Sequence, residues 1–408
     1  MKHHNLHIKH YIIRIYIIIL MITAALPATA QRYKSISFSR HNFVDTVKIE
    51  IWNGAVIVPV EIDGKVRNLM FDSGAQTGFW VGSIEEWMQD IDSIRVKDSN
   101  NESHKTTRAK FPPMTMGSVV IENYSMVVND GLGDFVCGKI DGALGFDLVA
   151  KGLSFKFDTK DSLMIVTDRK GFFAKEERHQ PALKYDGLTQ PRVWVNFPFS
   201  RVRMLFDMGY VGGWFNLPQT LLNRWSSADP KMRQKLDEST VQVDTSINTH
   251  AGLFGAKKDT VVDKLLYFPE FKMGDLTFKE VWCETGVHNL AVGSAMLQHL
   301  SLIIDARKKC FVFLPHNEIP EVIVENEVSG LSFILADEDD PYGVMKALVR
   351  KDSKDYQKGI RTGDYLISID GIPITDYCTY FFLRQQKEDR LYLFLFRSPK
   401  GEEKTVEW

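Results

Sequence analysis

The sequence predicts a mostly β protein with two similar β-rich units and a smaller α+β module at its C-terminal end. Three observations lead to this prediction. Short runs of β-branched and aromatic residues recur along the 408 residues, which include 26 Phe, 13 Tyr and 8 Trp, as many short strands require. A block of sequence occurs twice. Beyond residue 328 the pattern of glycines and apolar residues changes.

Length and charge limit the classes of function. At 408 residues and 44% hydrophobic content, the chain is long enough for two or three globular domains. Its 50 Lys and Arg residues nearly balance its 52 Asp and Glu residues, so the formal net charge is -2. This balance gives no electrostatic drive toward nucleic acid or an anionic membrane surface. We therefore expect no nucleic acid partner.

The first 30 residues are typical of an export signal. Basic residues, the last of them Arg14, precede a nearly unbroken apolar run from Ile15 to Leu26, and Ala28-Thr29-Ala30 offers small residues for cleavage. Because the run is short for a full membrane span, we expect a cleaved signal peptide at 1–30. An uncleaved membrane anchor is the alternative. Either one predicts an exported protein that is periplasmic, on the cell surface or secreted.

The four cysteines do not form a recognisable disulfide framework. Cys137, Cys283, Cys310 and Cys378 are widely spaced and include no C-x-x-C pair. The apolar neighbours of Cys283 and Cys310 favour buried thiols, and a bond between these two is an open alternative. Disulfide pairing is therefore undecided at the level of sequence.

A repeated block organises the chain. The segment VPVEIDGKVRNLMFDSGAQTGFW, from Val58 to Trp80, corresponds without a gap to VWVNFPFSRVRMLFDMGYVGGWF, from Val193 to Phe215. A second pair of blocks, from Leu153 to Asp158 and from Leu300 to Asp305, follows at a longer offset. The same parts in the same order indicate an internal duplication.

Each repeat places an aspartate at the end of a predicted strand. Alternating apolar residues from Val56 to Ile62 predict one strand, Asp63-Gly64 a turn, and the residues up to Phe71 the second strand of a hairpin. Asp72 and Asp207 then begin equivalent glycine-containing turns. Two units related by an approximate twofold axis would bring these carboxylates together at one cleft.

The residues around the two aspartates resemble the active-site segments of aspartic proteases. The sequence FDSGA at 71–75 resembles the family's D-[ST]-G turn, and IDGALG at 140–145 resembles its supporting apolar segment. The short units look closer to the retropepsin-like bacterial branch than to pepsins, and the resemblance spans roughly residues 49–314. It implies a two-lobed aspartic-protease-like β-barrel.

The resemblance also implies endopeptidase chemistry. Asp72 and Asp207 would be the catalytic residues, and Ser73, Gly74 and Gly209 would support their turns. Two adjacent carboxyl groups share one proton, so one activates a water molecule while the other donates a proton toward the peptide carbonyl oxygen. This chemistry requires neither a metal nor a cofactor. The expected partner is a peptide or an unfolded polypeptide substrate.

The second turn departs from the family pattern. Met208 stands where the family has Ser or Thr, whose hydroxyl crosses to the backbone of the other lobe. Ser73 can make such a hydrogen bond and Met208 cannot, a loss of about 1 kcal/mol that weakens alignment of the pair. A non-catalytic peptide-binding or scaffold protein with a protease-like fold is therefore the alternative function. A processing enzyme with one narrow substrate is a third.

The C-terminal residues resemble a PDZ domain. The run GIRTGDYLISIDG, from Gly359 to Gly371, resembles the PDZ pattern G-[IL]-x-x-G-D-x-[IL]-x-x-[IV]-[ND]-G. Gly330, Leu331, Ser332 and Phe333 resemble the G-L-G-F peptide-binding loop, with serine in place of the second glycine. The resemblance implies a small PDZ-like α+β domain that recruits a substrate or partner by its peptide C-terminus. A degenerate domain that only packs against the remainder is the alternative.

Other candidate groups are weaker. Asp141, Asp158 and Asp305 occupy predicted turn positions, where an aspartate accepts local hydrogen bonds. No Ser-His-Asp order, H-E-x-x-H motif or phosphate-binding loop occurs in the sequence. The expected organisation is a signal peptide at 1–30, an N-terminal protease-like lobe at 31–168, a linker at 169–187, a C-terminal protease-like lobe at 188–317, a linker at 318–328 and a PDZ-like domain at 329–408.

Overall fold

Strands dominate the fold, which confirms the prediction of a mostly β protein. None of the helices in the described part of the chain is long and apolar enough to cross a membrane. The expected signal peptide at 1–30 lies outside the described residues. The structure is a computed structural model, and it describes residues 36–407 except 53, 81–88, 100–101, 130–136, 248–250, 254, 257–259, 286–288, 325–329, 337–342, 352 and 386–390.

We call residues 36–168 the first β-unit. Alternating apolar residues place one side of most of its strands in the core, as period-two sequences require. Its elements are β1 (Ser37–Phe38), β2 (Val44–Lys48), β3 (Glu50–Trp52), β4 (Ala55–Ile62), β5 (Lys65–Asp72), β6 (Gly78–Trp80), β7 (Gln89–Lys97), β8 (Ser103–Lys110), β9 (Met114–Met116), β10 (Val119–Glu122), β11 (Ser125–Asn129), β12 (Gly142–Gly145), α1 (Asp147–Ala150), β13 (Ser154–Asp158) and β14 (Leu163–Thr167).

We call residues 182–324 the second β-unit. Parts of both expected linkers form strands, namely the first and the last strand of this unit. Its elements are β15 (Ala182–Lys184), β16 (Arg192–Phe197), β17 (Ser200–Phe206), β18 (Phe215–Leu217), α2 (Gln219–Ala228), α3 (Pro230–Ser239), β19 (Thr240–Ile247), β20 (Ala251–Gly252), β21 (Gly255–Ala256), β22 (Thr260–Met273), β23 (Leu276–Thr285), β24 (Ala291–Val292), a 3-10 helix (Ser294–Gln298), β25 (Leu300–Asp305), β26 (Cys310–Pro315) and β27 (Glu321–Ile323).

Residues 330–407 form the C-terminal module, which has its own buried core. Its antiparallel sheet has the order β28-β29-β30-β32-β33, and β31 pairs with β30. The elements of the module are β28 (Leu331–Leu335), β29 (Met345–Val349), α4 (Lys354–Gln357), β30 (Tyr365–Ile369), β31 (Ile372–Pro373), α5 (Tyr377–Gln385), β32 (Leu393–Arg397) and β33 (Glu403–Glu407).

The main sheets of the two β-units share one pattern of strand pairing. In the first, β5 pairs parallel with β12, β12 antiparallel with β6, and β6 parallel with β11. In the second, β17 pairs parallel with β24, β24 antiparallel with β18, and β18 parallel with β23. The aspartates of the two repeats therefore stand at the same place in the two patterns, Asp72 at the end of β5 and Asp207 directly after β17.

A third sheet joins the two units. Its order is β15-β26-β25-β13-β14-β2, and the central contact is the antiparallel pairing of β13 with β25. Phe155 of β13 is fully buried, and its ring centroid lies 5.3 Å from that of Phe71 in β5. One hydrophobic cluster runs through both units, so their cores are continuous.

The hairpin that leads to Asp72 forms as the sequence predicts. β4 and β5 pair antiparallel from Ile57–Met70 to Ile62–Lys65. Between them Asp63 and Gly64 have φ angles of 52° and 74°, which the two-residue turns of twisted hairpins require. Glycine adopts such angles without steric cost, so this dipeptide fixes the register of β5.

One disulfide joins the first β-unit to the C-terminal module. Cys137 and Cys378, separated by 241 residues, are bonded to each other. Cys283 and Cys310 are buried and do not form a disulfide, which confirms the preference for buried thiols at these two positions. The bonded pair is a finding that cysteine spacing had left undecided.

Candidate active site

Asp72 and Asp207 begin two turns with the same hydrogen bonds. The backbone N–H of Gly74 donates to Oδ1 of Asp72 at 2.8 Å, and that of Gly209 donates to Oδ1 of Asp207 at 3.0 Å. Each turn is closed by a further backbone bond to the carbonyl oxygen of its own aspartate. These bonds hold each carboxyl group in one orientation, although each aspartate as a whole is half-buried.

The two turns face each other in direct contact. The carboxyl groups of Asp72 and Asp207 are hydrogen-bonded to each other. A Cβ atom on Gly74 would lie 2.6 Å from Oδ1 of Asp207, and one on Gly209 would lie 2.4 Å from Oδ2 of Asp72. Each carboxyl group thus occupies the space that a side chain on the opposite glycine would need. The structure brings together the four residues that the sequence had separated into two repeats.

Burial and mutual contact favour a proton on this pair. Burial raises the pKa of Asp72, against the lowering effect of hydrogen bonds from Gly74 and from Asp207. Burial, the charge of Asp72 and the hydrogen bond to it raise the pKa of Asp207 well above its usual value of 3.8. Two carboxyl groups that cannot both ionise easily hold one proton between them over a wide range of pH.

Ser73 links the two turns, as expected from the sequence. Its buried Oγ donates to the carbonyl oxygen of Phe206 at 2.6 Å and accepts from the N–H of Met208 at 2.9 Å. Met208 is also buried, but its thioether has no hydroxyl that could make the equivalent hydrogen bonds to the backbone of the first turn. The side chain of Ser73 therefore reaches from the first turn to the second, and the side chain of Met208 makes no equivalent bond to the first turn.

Two residues that the sequence did not single out support the first turn. Oδ1 of the buried Asp147 accepts from the N–H and the hydroxyl of Thr77 at 3.1 and 2.7 Å, and Thr77 in turn accepts from the N–H of Gly145 at 3.0 Å. Burial raises the pKa of Asp147, against the lowering effect of these bonds. The sequence signal that could have revealed it is an acidic residue inside the apolar run from Ala143 to Val149.

The second β-unit supports its turn with a different residue. The N–H and the hydroxyl of Ser294 donate to the carbonyl oxygen of Tyr210 at 3.0 and 3.3 Å, and Ser294 Oγ accepts from the N–H of Gly212 at 3.2 Å. Gln190, which precedes β16, also crosses between units and donates to the carbonyl oxygen of Gly74 at 3.1 Å. The two turns are alike in backbone and unlike in the side chains that support them.

Two of the three weaker candidates, Asp158 and Asp305, accept local hydrogen bonds as predicted, whereas Asp141 accepts one from a residue 73 positions away. Asp141 accepts from the N–H of Asn68 at 2.8 Å, Asp158 accepts from the N–H of Asp161 at 3.3 Å, and Asp305 accepts from the N–H groups of Arg307 and Lys308 at 2.9 and 2.7 Å. Asp158 and Asp305 thereby stabilise their own turns, and Asp141 connects the segment before β12 to β5.

The predicted peptide-binding residues of the C-terminal module lie at its sheet edge. Leu331, Ser332 and Phe333 begin β28, which ends the strand order of the described sheet. The carbonyl oxygen of Gly330 accepts from the N–H of Arg350 at 2.7 Å. The part of this loop at 325–329 lies outside the described residues.

No protein-family model matches the chain, and no curated protein matches it. The geometry of the two aspartate turns therefore carries the functional argument.

We expect Ser73→Ala to destabilise the protein by about 1–3 kcal/mol, because the N–H of Met208 and the carbonyl oxygen of Phe206 would both lose their partner inside the protein. Chemical denaturation measures the change. The matched control is Ser227→Ala on the exposed side of α2, where a change within about 0.5 kcal/mol is expected. Equal effects of the two substitutions would contradict the proposed bridge between the turns.

We also expect Asp207→Asn to become more stable relative to wild type as pH rises above 3.8. The folded pKa of Asp207 is raised, so above 3.8 the unfolded chain releases a proton that the folded chain retains, and wild-type stability falls with pH. Asparagine removes this titration. Urea denaturation of both proteins between about pH 4 and pH 7 measures the difference.

Asp168→Asn should show the opposite trend in the same experiment. Although burial raises the pKa of Asp168, hydrogen bonds from the N–H groups of Asn42 and Phe43 lower it overall. Its ionised form stabilises the folded state above 3.8, and the substitution loses this contribution. A parallel pH trend for the two variants would refute the assignment of a raised pKa to Asp207.

Proposed function

We propose that the chain is an aspartic-type endopeptidase that hydrolyses peptide bonds with a water molecule activated between Asp72 and Asp207. The observation that carries the proposal is the contact of these two carboxyl groups on opposed glycine turns. Paired carboxyl groups that share a proton supply a base and an acid at the same place. The substrate class is a peptide or an unfolded polypeptide segment.

The mechanism uses the pair as one unit. The ionised carboxylate accepts a proton from water, and the resulting nucleophile attacks the peptide carbonyl carbon. The protonated carboxyl donates toward the carbonyl oxygen, so the tetrahedral intermediate forms without full negative charge on that oxygen. One carboxyl group then donates its proton to the leaving nitrogen while the other accepts a proton from a hydroxyl of the intermediate. The C–N bond breaks, the carbonyl group re-forms and the pair again holds one proton. The titration belongs to the pair, and the acid and base roles follow its protonation state.

The topology supports a two-lobed protease-like fold that arose by internal duplication. Both main sheets repeat the same sequence of parallel and antiparallel pairings around the aspartate strands. A single chain with both turns needs no second copy to complete the pair. The repeated blocks of sequence support the same interpretation.

The C-terminal module supports a PDZ-like role in recruiting a substrate or partner. β28 ends the strand order of the module's described sheet, and an edge strand can pair with an added peptide strand. The Cys137–Cys378 bond supports function in an oxidising compartment, which agrees with export. We therefore propose a periplasmic, cell-surface or secreted protein.

A non-catalytic peptide-binding protein is the second candidate function. Met208 favours it, because this buried side chain supplies no hydroxyl to complete the second bridge between the turns. Such a protein would bind extended peptides in the same cleft without hydrolysing them.

Cleavage of a mixed peptide library across acidic and neutral pH tests the first candidate. We expect Asp72→Asn and Asp207→Asn each to lower kcat/KM by at least about 100-fold, because each removes one member of the proton-sharing pair. Asp186→Asn on the protein surface is the matched control and should keep wild-type activity. Equal cleavage by all four proteins would exclude the paired mechanism. Peptide binding without cleavage by any of them would support the second candidate.

Met208→Thr should raise turnover above that of the wild type. The threonine hydroxyl can hydrogen-bond to the backbone of the first turn, as the hydroxyl of Ser73 does to that of the second. Met208→Val is the control with the shape of threonine and no hydroxyl. A single added hydrogen bond of about 1 kcal/mol corresponds to about fivefold in kcat between the two variants. Identical kcat values for the threonine and valine variants would show that the second bridge does not limit catalysis.

A further inference from the structure

Helix α5 of the C-terminal module makes contacts on two of its faces. Tyr377, Tyr380 and Leu383 pack against the core of the module. Cys378 and Phe381 point the other way and contact the first β-unit, through the disulfide to Cys137 and through an aromatic contact to Trp52. Residues three and four apart share a helix face, so Cys378, Phe381 and Phe382 lie along the same outward side.

The contact with Trp52 lies beside the turn of Asp207. The ring centroids of Phe381 and Trp52 are 4.7 Å apart. Trp52 packs on a small apolar cluster together with Val211, which follows Asp207 by four residues. Two residues beyond Trp52, a Cβ atom on Gly54 would lie 3.5 Å from the backbone nitrogen of Gly212. The strand end that α5 touches is thus packed against the second aspartate turn.

The disulfide lies on the segment that leads to the strand beside Asp72. Cys137 precedes Ile140, which belongs to the same apolar cluster as Met70 of β5. The chain then enters β12, where Gly145 pairs with Asp72 itself. Each of the two contacts of α5 therefore sits on a segment next to one of the two aspartate turns.

A third contact reaches the other β-unit. Gln242 of β19 donates a hydrogen bond from Nε2 to the carbonyl oxygen of Lys351 at 3.1 Å. β19 and β22 form a long hairpin of the second β-unit. The module is therefore held to both units, by a covalent bond on one side and by a hydrogen bond on the other.

We propose that the outward face of α5 forms one wall of the polypeptide site at Asp72 and Asp207, and that the Cys137–Cys378 bond holds this wall in place. Phe382 is the residue of this wall that would select apolar side chains of the substrate. This inference rests on the proposed function, because it identifies the preference of the same site.

Phe382 suits this role by its position and exposure. Its side chain is 46% exposed. The ring centroids of Phe382 and Phe381 are 5.5 Å apart, and Phe381 in turn packs on Trp52. An extended polypeptide that crosses the aspartate pair must contact residues on both sides of it, since several side chains of the substrate extend beyond the scissile bond. An exposed aromatic ring on a rigid support gives an apolar substrate side chain a surface to bury against.

The first test measures peptide binding by the full chain carrying Asp207→Asn, so that cleavage does not consume the probe. The probes are two fluorescent decapeptides of equal charge, one with Leu and Phe at its central positions and the other with Ser and Gln there. Phe382→Ser should weaken binding of the apolar decapeptide by about tenfold and leave binding of the polar decapeptide unchanged. Ile372→Ser is the control, because Ile372 is 47% exposed on β31 of the same module.

Equal binding of the apolar decapeptide by the Phe382→Ser, Ile372→Ser and parent chains would overturn the proposal. Failure of the parent chain to bind either decapeptide would overturn it as well. Because Phe382 is a surface residue, loss of folding does not account for a selective effect on one of two peptides.

The second test removes the covalent anchor. Replacement of both Cys137 and Cys378 by serine should raise KM for the apolar peptide by about tenfold with little change in kcat, because the aspartate pair itself is untouched. The same shift is expected when dithiothreitol reduces the bond in the wild-type chain, with two cysteine thiols formed and dithiothreitol released as its cyclic disulfide. Unchanged KM, once mass spectrometry shows both thiols free, would overturn the anchoring role.

The endopeptidase proposal and the proposal of a wall at α5 can be refuted independently of each other. If no protein cleaves peptide but Phe382→Ser weakens binding of the apolar decapeptide, the wall is supported and the endopeptidase proposal falls. If the wild-type chain cleaves peptide and Phe382→Ser leaves both KM and binding unchanged, the endopeptidase proposal stands and the wall falls.

Discussion

The carboxyl groups of Asp72 and Asp207 touch, and two carboxylates in contact cannot both carry a charge at low cost. The surrounding backbone has to keep them together against this repulsion. Glycine stands opposite each carboxyl group because the space of a side chain there is already filled. The hydrogen bonds from these glycines hold both groups without neutralising their charge.

The two β-units bring the carboxyl groups together through contacts far from the pair. The third sheet joins β13 to β25, and a continuous core fixes the angle between the units. Ser73 then connects the turns directly. Because Met208 offers no hydroxyl to the backbone of the first turn, that turn depends more on its own unit, where Asp147 accepts hydrogen bonds from Thr77. The second turn has Ser73 from the other unit and Ser294 from its own. The two turns thus have similar backbone hydrogen bonds but different side-chain hydrogen bonds.

The C-terminal module is remote in sequence from Asp72 and Asp207, but a disulfide joins it to the β-unit that contains Asp72. A disulfide between residues 241 positions apart restricts where the module can lie relative to the first β-unit. The packing of Phe381 on Trp52 adds an apolar contact at the same helix. The module is therefore held against the β-units, whereas a domain joined only by a flexible connection would sample many orientations.

The sequence by itself determined the mostly β fold, the hairpin that ends at Asp72 and the equivalence of the two aspartates, because these follow from local alternation, the turn at Asp63-Gly64 and the repeated block. Tertiary structure alone decided the contact of Asp147 with Thr77, the hydrogen bond of Gln190 to Gly74 and the disulfide. These partners are separated by 70, 116 and 241 residues, respectively. No local pattern encodes such distances, since they depend on how finished sheets pack against each other.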